Sequence, residues 1–376
     1  MDATKSGAFA LNAQHGRVNF LGQSESQTWG FNQPFLGPTL RVATSAEARA
    51  DVTNRLDEQI SVHWHGLVIP GDVDGGPHQT IAPGENWSPV LPIDQPAATV
   101  WYHTHTHGET ARQVYNGLAG VLQLSDGLDD DLGGSRPDMD PVGAHKRNVT
   151  LDMAMGPGMM MRGKGNRFSI SGQAFDMSRI DMSVARGEME RWTISADMMM
   201  HPFHVHGVAF QVLSENGRPP KAQNTGWKDT ILINGQADIL MKFDRPASES
   251  LPYMFHCHIL EHEDGGMMGQ FAVVQVVGIF STALAMAHFW AAFCRSLLFC
   301  RGSGLGCSLR IETFVSEVRA LNPSLVHNAG DIDADANHRG LVATKCCGPQ
   351  RGMGRSFQFK SSLNCLAGAC VFNGKQ

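Results

Sequence analysis

Residues 256–267 read His-Cys-His-Ile-Leu-Glu-His-Glu-Asp-Gly-Gly-Met. Two imidazoles, a thiolate and a weak axial thioether are the ligand set of a blue-copper site. Cys257, His262 and Met267 supply three of those four groups. Successive side chains on a strand point to opposite faces, so His256 and His258 turn away from the face that carries Cys257. One short peptide would then touch two metal centres and join them covalently. The histidines for a second centre are present: His-Trp-His-Gly at 63–66, His-Thr-His-Thr-His-Gly at 103–108 and His-Pro-Phe-His-Val-His-Gly at 201–207. Each holds a His-x-His pair, which on a strand projects two imidazoles from one face. His204 and His206 share a face, and His201 lies an odd number of residues away, which assigns His201 to the Cys257 site. His63, His65, His103, His105, His204, His206, His256 and His258 remain for the other centre.

Taken singly, these motifs have plainer readings. A lone His-x-His is commonly a chance surface pair, and His-Pro-x-His-x-His could equally bind zinc, which also accepts imidazole. Four pairs together, with His-Cys-His followed by His and Met, weigh against both. His107 is not needed as a ligand and is expected beside the site or exposed, whereas His15, His78 and His145 carry no motif and read as surface residues.

In this order the four histidine motifs resemble the copper-binding motifs of multicopper oxidases, the group of laccases, ascorbate oxidases and bacterial copper-efflux oxidases. The likeness covers roughly residues 7 to 277 and is most similar to the bacterial copper-efflux and laccase branch. It is carried by GPTLRV at 38–43, HWHGLVIPGDVDGGP at 63–77, DQPAATVWYHTHTHGETARQVYNGLAGVL at 94–122 and ERWTISADMMMHPFHVHG at 190–207. LSENGRPP at 213–220, GWKDT at 226–230 and HCHILEHEDGGMMGQF at 256–271 complete it. The resemblance implies four copper ions. Type 1 copper would take His201, Cys257, His262 and Met267, type 2 copper His63 and His204, and the type 3 pair His65, His103, His105, His206, His256 and His258. It also implies that a reducing substrate feeds electrons singly to type 1 copper and that O2 is reduced to water at the other three. Asp74 and Glu263 match family positions near that cluster and are expected to relay protons; their plainer readings are a turn residue and an exposed helix residue.

The elements that would position these ligands read as short strands. VTLDM at 149–153, ERWTIS at 190–195, VAFQVL at 208–213, DTILING at 229–235 and QFAVVQVV at 270–277 are examples. Short strands between Gly, Pro and Asn turns favour a β-sandwich or barrel. The expected fold is therefore all-β, with two Greek-key sandwiches of the cupredoxin type that the resemblance implies. Residues 1–125 would form the first domain, 126–148 an acidic, Gly- and Pro-containing linker, and 149–277 the last domain. Ala and Glu favour helix over strand, so a weak strand is expected over TSAEARADV at 44–52. The complete middle domain of the copper-efflux branch is absent, which implies the two-domain plan of small laccases. Those pair domains between subunits of a trimer. An oligomer, with homotrimeric intersubunit clusters, is thus expected, although a linker spanning about 3.3–3.6 Å per residue also permits pairing within one chain.

The chain has 376 residues and a net charge of −6, with no basic run that would suggest nucleic acid. Residues 278–376 differ in character and form a non-homologous extension that holds seven of the eight cysteines. Val276 to Cys294 is apolar apart from His288 and approaches the length of a membrane span. The expected reading is a poorly ordered extension with no catalytic role; a membrane anchor and a disulfide or metal appendage are the alternatives. The start, Met-Asp-Ala-Thr-Lys, shows neither signal peptide nor twin Arg, while the resemblance implies a periplasmic or secreted protein. Phenols and aromatic amines are the expected electron donors. Methionines at 153–161 and 198–200 are soft donors suited to Cu(I), and Asp197 and Met199 match the substrate-copper positions of copper-efflux oxidases. Two other classes stay in view: a copper-binding or copper-tolerance protein with little turnover, and a two-domain copper nitrite reductase, which has no use for eight clustered imidazoles.

Overall fold

The computed structural model describes residues 1–126, 139–153 and 168–275, with the pairs 365–366 and 369–370. Met1–Ile279 forms one compact unit. It is built from β-strands, as alternating inward and outward side chains require. The first half carries β1 (Ala8–Val18), β2 (Ser26–Phe31), β3 (Leu40–Ala43), β4 (Ala46–Asn54), β5 (Asn86–Trp87), β6 (Val90–Ile93), β7 (Ala98–His103), the helix α1 (Thr110–Asn116) and β8 (Ala119–Ser125). One sheet runs β2-β1-β4-β5, with β6 also on β4, and a second runs β3-β8-β7. Between them lie Phe9, Leu11, Phe31, Leu40, Ile60, Trp64 and Tyr102, all buried.

The second half carries β9 (His145–Met153), β10 (Phe168–Ile170), β11 (Met182–Ala185), β12 (Met189–Val205), β13 (Phe210–Glu215), β14 (Thr230–Lys242), β15 (Tyr253–Cys257), the helix α2 (Leu260–Asp264) and β16 (Met268–Val274). Its strands order as β10-β9-β12-β15-β16-β11, with β14 joining β12 to β13. Parallel pairs β9/β12 and β11/β16 sit among antiparallel ones. Trp192, Phe203, Phe210, Phe243, Tyr253, Phe255 and Phe271 fill this core, and Cys257 and Met267 belong to it. The architecture is the all-β, cupredoxin-type one expected.

The segment expected to be weak is a regular strand. β4 spans nine residues and pairs with β1, β5 and β6. Ala48, Ala50 and Val52 point inward and are buried, with outward residues between them. Period-two burial and three partners outweigh the intrinsic preference of Ala and Glu. The extension contributes only one two-residue hairpin to the described residues, Cys365–Leu366 paired with Ala369–Cys370; its anchor and appendage readings fall outside them, as do Met155, Met159, Met160 and Met161. Among the described residues no helix is long and apolar enough to cross a membrane.

Candidate metal centre

Two strand junctions bring the histidines together. In the first half, His63 and His103 pair across an antiparallel bridge through N–H to carbonyl bonds of 2.8 and 3.1 Å. In the second, β12 pairs with β15 so that His204 faces His256. The two junctions meet, and all eight imidazoles named from the sequence converge inside this one chain. His63, His65, His103, His105, His204, His206 and His256 are buried, and His258 is partly so. Four imidazoles from each half face one another within this single chain, so the set is complete without a second copy.

The outward ring nitrogens are held by the protein. His206 Nδ1 lies 2.7 Å from Asp74 Oδ2 and His63 Nδ1 2.9 Å from the Asp74 carbonyl. His103 Nδ1 faces the Thr104 carbonyl at 2.8 Å and His204 Nδ1 the Asp229 carbonyl at 2.8 Å. His256 Nδ1 lies 3.1 Å from the Cys257 carbonyl and 3.1 Å from Glu263 Oε2. Glu263 Oε1 approaches His105 Nδ1 at 3.4 Å. A carbonyl or carboxylate oxygen accepts, so each ring nitrogen hydrogen-bonded to one carries the proton, whereas His105 Nδ1 makes no such bond. The inward nitrogens therefore hold lone pairs. His206 Nε2 and His256 Nε2 sit 3.2 Å apart, and His105 Nε2 lies 3.3 Å from His256 Nε2. Facing lone pairs at that spacing repel unless a cation lies between them. His63 Nε2, His103 Nε2 and His204 Nε2 are buried with no partner at all. Such orphans cost about 1–3 kcal/mol each, which a metal ion would relieve.

Burial, helped by neighbouring imidazoles, holds His65, His103, His204 and His206 well below the usual histidine range. It takes His105 to about 3 and His258 to about 4. These six imidazoles are thus neutral and ready to ligate near neutral pH. Burial works to raise the Glu263 carboxyl, but His256 and His105 outweigh it and hold it well below the carboxylate range. Glu263 is therefore a buried anion, not the exposed helix residue of its plainer reading.

Cys257 belongs to a separate group. Its Sγ lies 3.3 Å from His201 Nδ1 and 3.7 Å from His262 Nδ1, and the two nitrogens are 3.3 Å apart. The centre of that triangle is about 2 Å from each corner, the length of a metal–imidazole bond. Met267 is buried beside it and its carbonyl accepts the Cys257 N–H at 3.1 Å. Burial pushes the thiol up to about 12, so an ion entering here must displace its proton. His201 shares the core-facing side of β12 with Phe203, whereas His204 lines the cluster. A bulge in β12 between Ala196 and His201 interrupts its register with β14. Met198, Met199 and Met200 stand exposed on it, immediately before His201, and Asp197 lies in the same stretch of strand.

Several residues outside the histidine motifs also matter here. His78, expected at the surface, joins the halves through Nε2 and Gln270 Oε1 at 2.8 Å. Asp264 accepts the Thr110 and Ala111 N–H groups at 2.9 and 2.8 Å. Asp229 and Thr230 lie against His65 and His204. The only signal for the last two was their place in the GWKDT stretch. His107 is exposed, edge-on to Phe175.

Residues 12–128 and 147–276 each match a multicopper oxidase family model. Multicopper oxidase mco of Staphylococcus aureus is 29% identical over 400 aligned positions, which take in 71% of this chain and 89% of that protein. The aligned positions outnumber the residues this chain supplies, and the matched regions correspond to two of three cupredoxin domains. Cell division protein FtsP of Escherichia coli strain K12 is 25% identical, covering 70% of this chain and 89% of FtsP. A solved structure of CueO, a bacterial laccase-like multicopper oxidase from Ochrobactrum sp., superposes with a TM-score of 0.68 at 29% identity, over 73% of this chain and 98% of that one.

Proposed function

The chain belongs to the multicopper oxidase family, and from that premise we propose that it is a laccase-like oxidase, coupling one-electron oxidation of phenols, aromatic amines and Cu(I) to four-electron reduction of O2 to water. Membership alone does not carry this reading, because relatives include proteins named for cell division. The observation that carries it is the His256-Cys257-His258 peptide. Cys257 Sγ lies in the His201–His262 triangle, while its two neighbours reach the eight-imidazole cluster.

On this reading His201, Cys257, His262 and Met267 hold type 1 copper and His63 with His204 hold type 2. His65, His103 and His258 hold one type 3 copper, and His105, His206 and His256 the other. Bound copper would supply single-electron uptake at Cys257 and, taken over the four ions together, the four electrons that reduction of O2 at the cluster requires. The chain's own part is to bind, insulate and manage protons. The His256–Cys257 and Cys257–His258 peptide bonds are the shortest covalent route between the centres. Asp74 and Glu263 lie at the outer nitrogens of His206, His63, His105 and His256, where each can hold or pass a proton. The buried core around Cys257 keeps bulk water from the thiolate. The exposed Met198, Met199 and Met200, immediately before His201, support a soft-metal donor, with Met199 and Asp197 as the contacts that the family resemblance implies. The phenolic donor is supported by the Ochrobactrum CueO, described as having oxidase activity towards lignin model compounds and lignosulfonate.

The test uses full-length chain loaded with copper and fractionated by size. The single-chain fraction is expected to be blue, to hold four coppers and to consume O2 with a phenolic dye. Blue colour without O2 uptake would favour a copper-binding protein. Cluster copper present only in an oligomer would return the cluster to a subunit interface.

A further inference from the structure

His65 and His204 come from opposite halves and lie face to face, ring centroids 3.7 Å apart and planes 14° from parallel. They turn opposite nitrogens outward. His204 Nδ1 faces the Asp229 carbonyl at 2.8 Å. His65 Nε2 faces Asp229 Oδ2 at 3.3 Å and Thr230 Oγ1 at 3.2 Å. The same Thr230 Oγ1 lies 3.2 Å from His204 Nδ1. The Asp229 carbonyl can only accept, so His204 carries its proton on Nδ1, and His65 turns Nε2 outward to Asp229 Oδ2 and Thr230 Oγ1 and Nδ1 inward to His258, which places its proton on Nε2. That leaves His204 Nε2, buried without a partner, and His65 Nδ1, 3.2 Å from His258 Nε2, as the inward donors.

We propose that the Asp229–Thr230 dipeptide is a positioning device that sets opposite tautomers on these two stacked imidazoles, so that His65 ligates through Nδ1 and His204 through Nε2. The inference rests on reading the eight imidazoles as a copper cluster. Two further features support it. Thr230 pairs with His204 across β12 and β14, so strand register delivers the dipeptide to the cluster. Gly66, which follows His65, makes room for it: a Cβ there would meet Asp229 Oδ2 at 2.6 Å. The glycine of His-Trp-His-Gly thus admits a carboxylate from the other half of the chain. Partners that fix the tautomer of a metal-binding histidine typically change metal affinity about 10–100-fold when removed.

The test compares wild type, Asp229→Asn, Thr230→Val and Thr230→Ser as full chains loaded with Cu(II). Copper per chain, the electron paramagnetic resonance spectrum and the blue absorption of the Cys257 site are followed against rising chelator. Asp229→Asn and Thr230→Val are expected to release cluster copper at about 10–100-fold lower chelator with the blue absorption intact; Thr230→Ser, which keeps the hydroxyl, should match wild type. The blue absorption serves as the folding control in every variant. Wild-type retention and an unchanged spectrum in both Asp229→Asn and Thr230→Val overturn the inference, as does parallel loss of the blue site. Because His65, His204 and Asp229 could themselves hold an ion, loss of one extra metal with an unaltered cluster spectrum also overturns it. A wild type that holds no cluster copper sinks the parent reading instead.

Discussion

Asp74 serves two imidazoles at once, taking the Nδ1 proton of His206 on its carboxylate and that of His63 on its carbonyl. Its other oxygen, Oδ1, is buried without a partner. A carboxylate so placed can orient ligands and also exchange a proton with the chemistry beside it. Asp74→Asn keeps the shape and the backbone carbonyl but removes the charge and the second oxygen. Oxygen consumption is expected to fall on the order of 100-fold, while substrate bleaches the blue colour at the normal rate, because Cys257 and His201 are untouched. Stopped-flow bleaching and an oxygen electrode separate the two; unaltered turnover would remove Asp74 from the relay. At this scale the sequence was highly legible. Residue type and parity place His201 with Cys257 and apart from His204, since a strand cannot turn neighbouring side chains to one face. Asp229, Thr230 and His78 were not legible, because their role depends on what the other half of the chain brings against them.

The element that most visibly joins the halves is α1. It has seven residues, too short to persist alone, and its N-cap residue Glu109 makes no side-chain cap bond. The cap comes instead from α2 of the other half, where Asp264 accepts both the Thr110 and Ala111 N–H groups. Tyr115 donates to Glu261 across the same contact. Asp264→Ala is therefore expected to cost about 1 kcal/mol of stability, the usual value of a lost cap. The denaturation midpoint of the copper-free protein measures it, and an unchanged midpoint would mean that α1 is held by other contacts. No capping rule applied to residues 105–110 could find this, because the capping residue lies more than 150 positions away. The strand β4 makes the complementary point. Its helix-favouring alanines predicted weakness, but three paired neighbours and an inward row of Ala48, Ala50 and Val52 decided the matter.

For the molecule as a whole, burying six of the cluster imidazoles with depressed values makes stability depend on pH. His65, His103, His105, His204, His206 and His258 have folded-state values depressed below their ordinary 6.5. Below that value the unfolded chain binds more protons than the folded one, so stability rises with pH and is lost as pH falls. The metal-free protein is expected to weaken steeply from about pH 6.5 down towards pH 4, and bound copper should delay that loss because it competes with protons for the same nitrogens. Urea midpoints against pH, with and without copper, would show it; a flat metal-free profile would contradict the neutral buried cluster. By itself the sequence determined the all-β class, the two copper-type donor sets and which imidazole belongs to which, because those follow from residue chemistry and a two-residue strand period. Only the tertiary structure decided that the halves close on each other within one chain, and that Asp74, Asp229, Glu263 and Asp264 reach across or around the cluster. Those are contacts between residues far apart in sequence, and no local period encodes them.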